Sequence, residues 1–140
     1  MKNTVIVTGG CGFVGSNLIK HLIDNTNFKI ISLDDHSSGL KKNQIKNKRI
    51  KYIKGHTQDI EKVLKRFRQK ILTVFHFGEF SRIYESFLQM NKCFHSNTIG
   101  TNAVFNFCLK NKIRLIYSAT SASLGNKGKD KNLSPYAFTK

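Results

Sequence analysis

Acidic residues are scarce in this chain of 140 residues: 8 Asp and Glu stand against 24 Lys and Arg, for a formal net charge of +16. Cysteine is scarce too. Cys11, Cys93 and Cys108 form an odd set, with no CxxC and no paired histidines. That pattern excludes a disulfide scaffold and gives no reason to expect a metal. Buried or idle thiols in a reducing cytoplasm are the expectation. No apolar run approaches the roughly 18–20 residues of a bilayer-spanning helix, so no membrane partner is expected. No signal peptide is expected either, because MKNTVIVTGG runs straight into a strand and a glycine turn. Nothing repeats internally and nothing is low in complexity.

The positive excess invites a nucleic-acid reading. Most of it is lysine accompanied by Asn and Ile, a mixture that a coding bias leaves on solvated faces. Its densest stretch, Lys41 to Lys54 (KKNQIKNKRIKYIK), carries seven positive charges. A solvated loop and edge is the first reading, an anion-attracting rim beside a phosphate-bearing ligand the second, and a nucleic-acid patch the third. No recognisable nucleic-acid module accompanies it, so no nucleic-acid partner is expected.

The apolar fraction of 39% suffices for a core but is low for a parallel sheet covered on both faces. NTVIVTGG reads as a short buried strand. From Gly12 to Leu22 apolar residues recur at Val14, Leu18, Ile19 and Leu22, a helical period. Further strands are expected over Phe28–Leu33, Arg49–Ile53, ILTVFHF and RLIYSATSA. Helices are expected over 59–70, where acidic and basic ends suit the helix dipole, and over 97–110. GNKGKDKNLSP reads as a polar loop before a final helix opened by YAFTK. Strands alternating with helices make this one α/β domain over residues 1–140, a Rossmann-type three-layer sandwich with a mostly parallel sheet.

In VIVTGGCGFVGSNLIKHL the glycines Gly9, Gly12 and Gly15 stand between that first strand and helix. The first permits a tight turn, the second lets a pyrophosphate approach the backbone, and the third lets helix and strand pack closely. Unpaired N–H groups at the helix start then face the phosphates. Asp34 follows Gly15 by nineteen residues at the end of the second strand, with Asp35 beside it. A carboxylate there accepts hydrogen bonds from an adenosine ribose and repels a 2′-phosphate, which favours NAD over NADP. The competing reading is that the two aspartates merely cap a loop.

Tyr136 and Lys140 share a helix face at i and i+4, and Pro135 suits the first turn of that helix. An ammonium beside a phenol favours the phenolate, which can then accept a proton from a substrate hydroxyl. Thr120, at the end of the fifth strand, would orient the substrate oxygen. Such a pair is ordinary by itself. Its place after a dinucleotide-binding half gives it meaning.

With these residues assembled, the chain resembles the extended short-chain dehydrogenase/reductases, in their NAD-dependent epimerase/dehydratase group acting on nucleotide sugars. TGGCGFVG, LDD, VFHF, NTIGT, YSATSASLG and YAFTK occur in the family's order along essentially the whole chain. The resemblance implies a pyrophosphate turn from Gly9, Gly12, Phe13, Val14 and Gly15, with Asp34 on the adenine ribose. It implies that Phe77 and Asn97 line the cofactor, that Thr120 and Tyr136 are catalytic, and that Lys140 also bridges to the nicotinamide ribose. The implied chemistry is oxidation of a sugar C4 hydroxyl and its re-reduction, as in a UDP-sugar 4-epimerase. Homodimers are usual in the family.

Three departures matter. GHTQD places His56 and Thr57 where the family often has a Gly-Asp adenine contact, so that role passes to Asp59 or is lost. HFGEF puts Glu79 and Phe80 near the nicotinamide side, with Glu79 touching either substrate or solvent and Arg82. Ser121 and Ala122 follow Thr120 where sugar 4,6-dehydratases carry Asp-Glu, which disfavours dehydration. Members of the family usually run well beyond this length. The expectation is therefore an N-terminal fragment lacking the sugar-gripping C-terminal lobe, inactive alone and a weak binder of NAD. A helix of under about 12 residues at its end would be marginal. An NADP-using reductase of the same fold and a non-catalytic dinucleotide-binding protein are the alternatives.

Overall fold

The computed structural model describes residues 2–125, 129 and 131–140. Five strands, β1 (Thr4–Thr8), β2 (Lys29–Asp34), β3 (Ile50–Lys54), β4 (Ile71–His76) and β5 (Arg114–Tyr117), form one sheet in the order β3-β2-β1-β4-β5. Every adjacent pair is parallel. The chain winds outward from β1 through β2 to β3, then returns to place β4 on the other side of β1. That reversal between β1 and β4 is the topological switch point, where an open parallel sheet leaves a crevice beyond its strand ends.

Alternation along β1 explains the layers. Val5 and Val7 face one side with Ile19 and Leu22 of helix α1 (Phe13–Asn25), while Ile6 faces the other. There it packs with Ile60 and Leu64 of α2 (Ile60–Leu64) and Val104 and Phe107 from the helix over Thr101–Lys110. Helices on both faces make the three-layer sandwich. The modest apolar content suffices because the strands are short and the edge is wet: β1 is buried throughout, whereas no residue of β3 is.

The remaining helices are α3 (Ile83–Leu88), α4 (Met90–Phe94), α5 (Thr101–Lys110) and α6 (Pro135–Thr139). Several sequence boundaries move. The helix expected over 59–70 narrows after Leu64 into a 3₁₀ segment, Lys65–Lys70. The helix expected from residue 97 starts earlier, since α4 runs through a π turn over His95–Gly100 into α5. β5 ends at Tyr117, so Thr120 lies beyond the strand and caps a 3₁₀ turn over Ser121–Ser123. Part of the expected polar loop, residues 126–128 and 130, lies outside the described residues. The three cysteines are free and buried. Within the basic stretch, Lys41 and Lys42 are exposed on a 3₁₀ turn and Lys51 and Lys54 on the β3 edge. Among the described residues no helix is long and apolar enough to cross a membrane.

Phe107, 1% exposed, is the largest fully buried side chain of the α5 side of the core. Phe107→Ala is expected to cost about 3–5 kcal/mol, because the rigid sheet cannot collapse into the cavity. Urea unfolding should show a lower midpoint at an unchanged slope.

Candidate functional site

A cleft of about 520 Å³ opens over the switch point. It runs from Asp34 and Asp35, past the glycine turn, to Glu79, Ser118, Tyr136 and Lys140. Its size lies within the range of small-molecule and cofactor sites.

Close backbone approach builds the middle of the cleft. Gly9 has φ +68°, and a Cβ on it would lie 2.6 Å from the Phe77 carbonyl oxygen. A Cβ on Gly15 would lie 2.2 Å from the Gly9 oxygen. Both contacts are with backbone that cannot step aside, so both positions need glycine. Gly12 begins α1 without a side-chain cap, and the flanking Phe13 and Val14 are 83% and 56% exposed. The first-turn N–H groups of α1 therefore face the cleft free of side-chain partners, at the positive end of a 13-residue helix.

Asp34 is 7% exposed and already occupied on both oxygens. Oδ2 accepts from the Cys11 N–H at 2.8 Å and Oδ1 from the His36 N–H at 2.8 Å. The carboxylate thus ties the glycine turn to the loop after β2 and keeps further lone pairs for a ligand hydroxyl. Asp35 accepts from the Ser37 N–H at 2.8 Å on the same rim. Cys11 Sγ, an Asp34 oxygen and His36 Nδ1 lie within 4.8 Å of one another. Burial pushes the Cys11 thiol pKa up, which keeps it protonated, and both Asp34 oxygens are engaged, so this trio belongs to the turn.

The opposite end holds a buried charge pair. Lys140 Nζ bonds to Glu79 Oε2, and their side chains are 5% and 1% exposed. The remaining lysine hydrogens face the Ser118 carbonyl and Ser118 Oγ. Glu79 Oε1 accepts from the Thr101 hydroxyl at 2.7 Å, and the Tyr117 hydroxyl shares its one proton between Glu79 Oε1 at 3.2 Å and the Lys140 carbonyl oxygen at 2.9 Å. Burial, then the Glu79 charge and the bond to it, raises the Tyr117 phenol pKa, so it stays a donor.

That arrangement fixes the histidine behind it. Because Thr101 donates to Glu79, it accepts from His76 Nε2 at 3.0 Å, which places the ring proton on Nε2. Nδ1 then accepts from the Thr8 hydroxyl at 2.6 Å. The Thr8 oxygen accepts in turn from the N–H groups of Phe77 and Gly78, at 3.1 and 3.0 Å. His76 is fully buried, and burial, assisted by the Lys140 charge, lowers its pKa to about 3.

The expected site residues divide into two groups. Gly9, Gly12, Phe13, Val14, Gly15, Asp34, Asp35, Phe77, Tyr136 and Lys140 all line the cleft. Asn97 and Thr120 are not among its described lining residues. Asn97 is buried, its amide bridging the Phe80 backbone (2.7 and 3.0 Å) and Thr139 Oγ1 (3.2 Å), which locks α6 to the segment after β4. Its neighbour Ser96 reaches the cleft instead. Glu79 does not face solvent, and Arg82 pairs with Glu85 instead. Sequence reasoning paired Lys140 with Tyr136 and missed Ser118, although the serine stands in the same YSATSA segment. It also missed Ser86, whose hydroxyl accepts from the Tyr136 N–H at 3.2 Å. The spacing of a serine fifty residues away carries no local signal.

A glycine turn, an uncapped helix start and an acid at the end of β2, set around the switch point of a parallel sheet, define a dinucleotide-binding protein of the Rossmann class. The sequence pattern of the NAD dependent epimerase/dehydratase family matches residues 5–140, and the chain belongs to that family. It is 30% identical over 128 residues to a UDP-glucose 4-epimerase of Streptomyces lividans, covering 89% of this chain and 38% of that protein. It is 32% identical over 129 residues to a dTDP-D-glucose 4,6-dehydratase of Dictyostelium discoideum, covering 87% and 30%. The crystal structure of UDP-glucose 4-epimerase with UDP-glucose from Thermotoga maritima superimposes with a TM-score of 0.85 at 26% identity, over 98% of this chain and 47% of that one. The chain thus spans less than half the length of these relatives.

NAD is the cofactor of this family, and the residues present fit it. The α1 start offers unpaired N–H donors to a pyrophosphate, Asp34 offers acceptors to a ribose, and no side chain fills the space above Gly12. Thr57, on the cleft wall, carries a buried hydroxyl with no hydrogen-bond partner among the described residues.

Two outcomes follow from this geometry. Asp34→Ala leaves the Cys11 and His36 N–H groups without acceptors, which should cost about 1–3 kcal/mol in chemical denaturation. It should also weaken NAD binding, read by calorimetry, by about tenfold or more. His76 titrates at about 3 when folded and near 6.5 when unfolded. Between those values the unfolded chain binds the extra proton. The stability held above pH 6.5 therefore falls on acidification, by up to about 1.4 kcal/mol per pH unit. Urea midpoints at pH 7 and pH 5 should drop more steeply for the wild type than for His76→Asn.

Proposed function

We propose that this chain is the cofactor-binding half of a nucleotide-sugar redox isomerase of the 4-epimerase kind. One observation carries this reading: Tyr136 and Lys140 line the same cleft as the glycine turn and Asp34, at its opposite end. NAD, when bound, takes a hydride from a substrate carbon and returns it. The protein's own groups then manage position and protons. Tyr136, its backbone held by Ser86, accepts the proton of the sugar C4 hydroxyl and later gives it back. Thr120 Oγ1 already accepts from the Ala122 N–H at 3.2 Å and keeps its proton to donate to the sugar oxygen. Lys140 is fixed at this end against Ser118 and Glu79.

The residues after Thr120 favour epimerisation over dehydration. Ser121 and Ala122 bring no acid to protonate a departing hydroxyl, although the relatives include dehydratases. The Asp34 carboxylate favours NAD over NADP, because a 2′-phosphate would meet a charge of its own sign. A cytoplasmic homodimer is part of the same reading. Ile83, Tyr84, Phe87 and Leu88 of α3 and Met90 of α4 are exposed in a row that a second copy would cover. Nucleic acid has no place in it.

The test is proton NMR of the products, with mass spectrometry to detect loss of water, after incubating the full-length enzyme with UDP-, GDP- and dTDP-sugars. Interconversion of C4 epimers is expected. Tyr136→Phe should lower kcat by about 10²–10⁴-fold while NAD binding stays within about threefold. Unchanged turnover in that variant, or loss of water from the sugar as the main product, would refute the proposal.

A further inference from the structure

A lysine at the hydride-transfer end of a dinucleotide cleft ordinarily leaves that end positively charged. Here Glu79 lies directly behind Lys140. The carboxylate is 1% exposed and bonded to the ammonium through Oε2, and it is held in place through Oε1 by the Thr101 and Tyr117 hydroxyls. All three ammonium hydrogens have partners inside the protein. Both side chains nonetheless line the cleft. The neighbouring groups add no net charge: His76 is neutral, Tyr117 is protonated, and Arg82 at the rim is 69% exposed and paired with Glu85.

We propose that Glu79 makes the nicotinamide end of the cleft electrically neutral and thereby sets which oxidation state of NAD the protein prefers. This rests on the placement of the nicotinamide beside Lys140 in the reading above. The oxidised ring carries one positive charge and the reduced ring none. An unpaired ammonium in a water-poor site repels only the oxidised form, and an unpaired carboxylate attracts only that form. The pair does neither, so the positive charge of the oxidised ring would be neither penalised nor favoured there. Glu79 acts through charge.

The experiment is a charge cycle read by equilibrium binding to the full-length protein without any sugar. Affinity for NAD⁺ is measured by calorimetry and for NADH by fluorescence, in the wild type, Glu79→Gln, Lys140→Met and the double variant. Glu79→Gln should shift the NAD⁺/NADH preference about tenfold towards NADH, Lys140→Met about tenfold towards NAD⁺, and the double variant back to near the wild-type ratio. A role confined to folding would move both affinities together and leave the ratio alone. Equal ratios in all four proteins, or two single variants that shift the ratio in the same direction, would overturn the inference. Should Glu79→Gln fail to fold, Lys140→Met decides alone, an unchanged ratio sinking the idea. A wild type that binds NAD but converts no nucleotide sugar would defeat the proposed function while the ratios still judge this one.

Discussion

The cleft depends on how closely the end of β1 approaches the end of β4. Thr8 and Gly9 lie against Phe77 and Gly78 with no side chain between them, and Gly9 can take its positive φ there only because it has no Cβ. The same contact is cross-linked by the Thr8 hydroxyl, which accepts two N–H groups from the β4 side. From that junction the chain projects in two useful directions. Forward from Gly9 it turns into the start of α1, whose N–H groups have no side-chain cap. Forward from Phe77 it reaches Glu79, which meets the lysine. One backbone packing event thus aligns both ends of a cleft built for an elongated cofactor.

The polar groups buried behind the Lys140 end of the cleft form one hydrogen-bonded chain. It runs from the Phe77 and Gly78 N–H groups through Thr8, His76, Thr101 and Glu79 to Lys140 and Ser118. Each hydroxyl in it has a single proton to donate, so the direction of the protons from Thr101 back to Thr8 follows from the Glu79 carboxylate. A neutral buried histidine costs little when both nitrogens are satisfied, and protonating it would break a link as well as bury a charge. The chain joins β1, β4 and α5, and reaches α6. It therefore serves as a tertiary clasp as well as the floor of that end of the cleft.

The α6 segment illustrates how a short helix is held. Five residues cannot stabilise a helix by their own hydrogen bonds. Ser134 caps α6 through its hydroxyl, and Ser86 receives the Tyr136 N–H. Asn97 in turn reaches Thr139 from the π turn. An extra residue in a helical turn redirects side chains, and here it buries Asn97 while turning Ser96 to the cleft. The helix carrying Tyr136 is thus positioned by residues that no periodicity singles out.

The amino-acid sequence by itself determined the α/β class, the glycine-bearing strand-turn-helix at the switch point, and the acid at the end of β2. Those features are local: a β-branched run, three glycines at fixed spacing and a period of apolar residues act over one element and its turn. Only the tertiary structure decided that Lys140 pairs with Glu79, that Asn97 serves packing, and that His76 carries its proton on Nε2. Each of these unites residues between seventeen and sixty-eight positions apart. Their partners are chosen by which strand ends and helices the sheet order brings together, and by the need of every buried polar atom for a complement. Sequence spacing does not encode that choice.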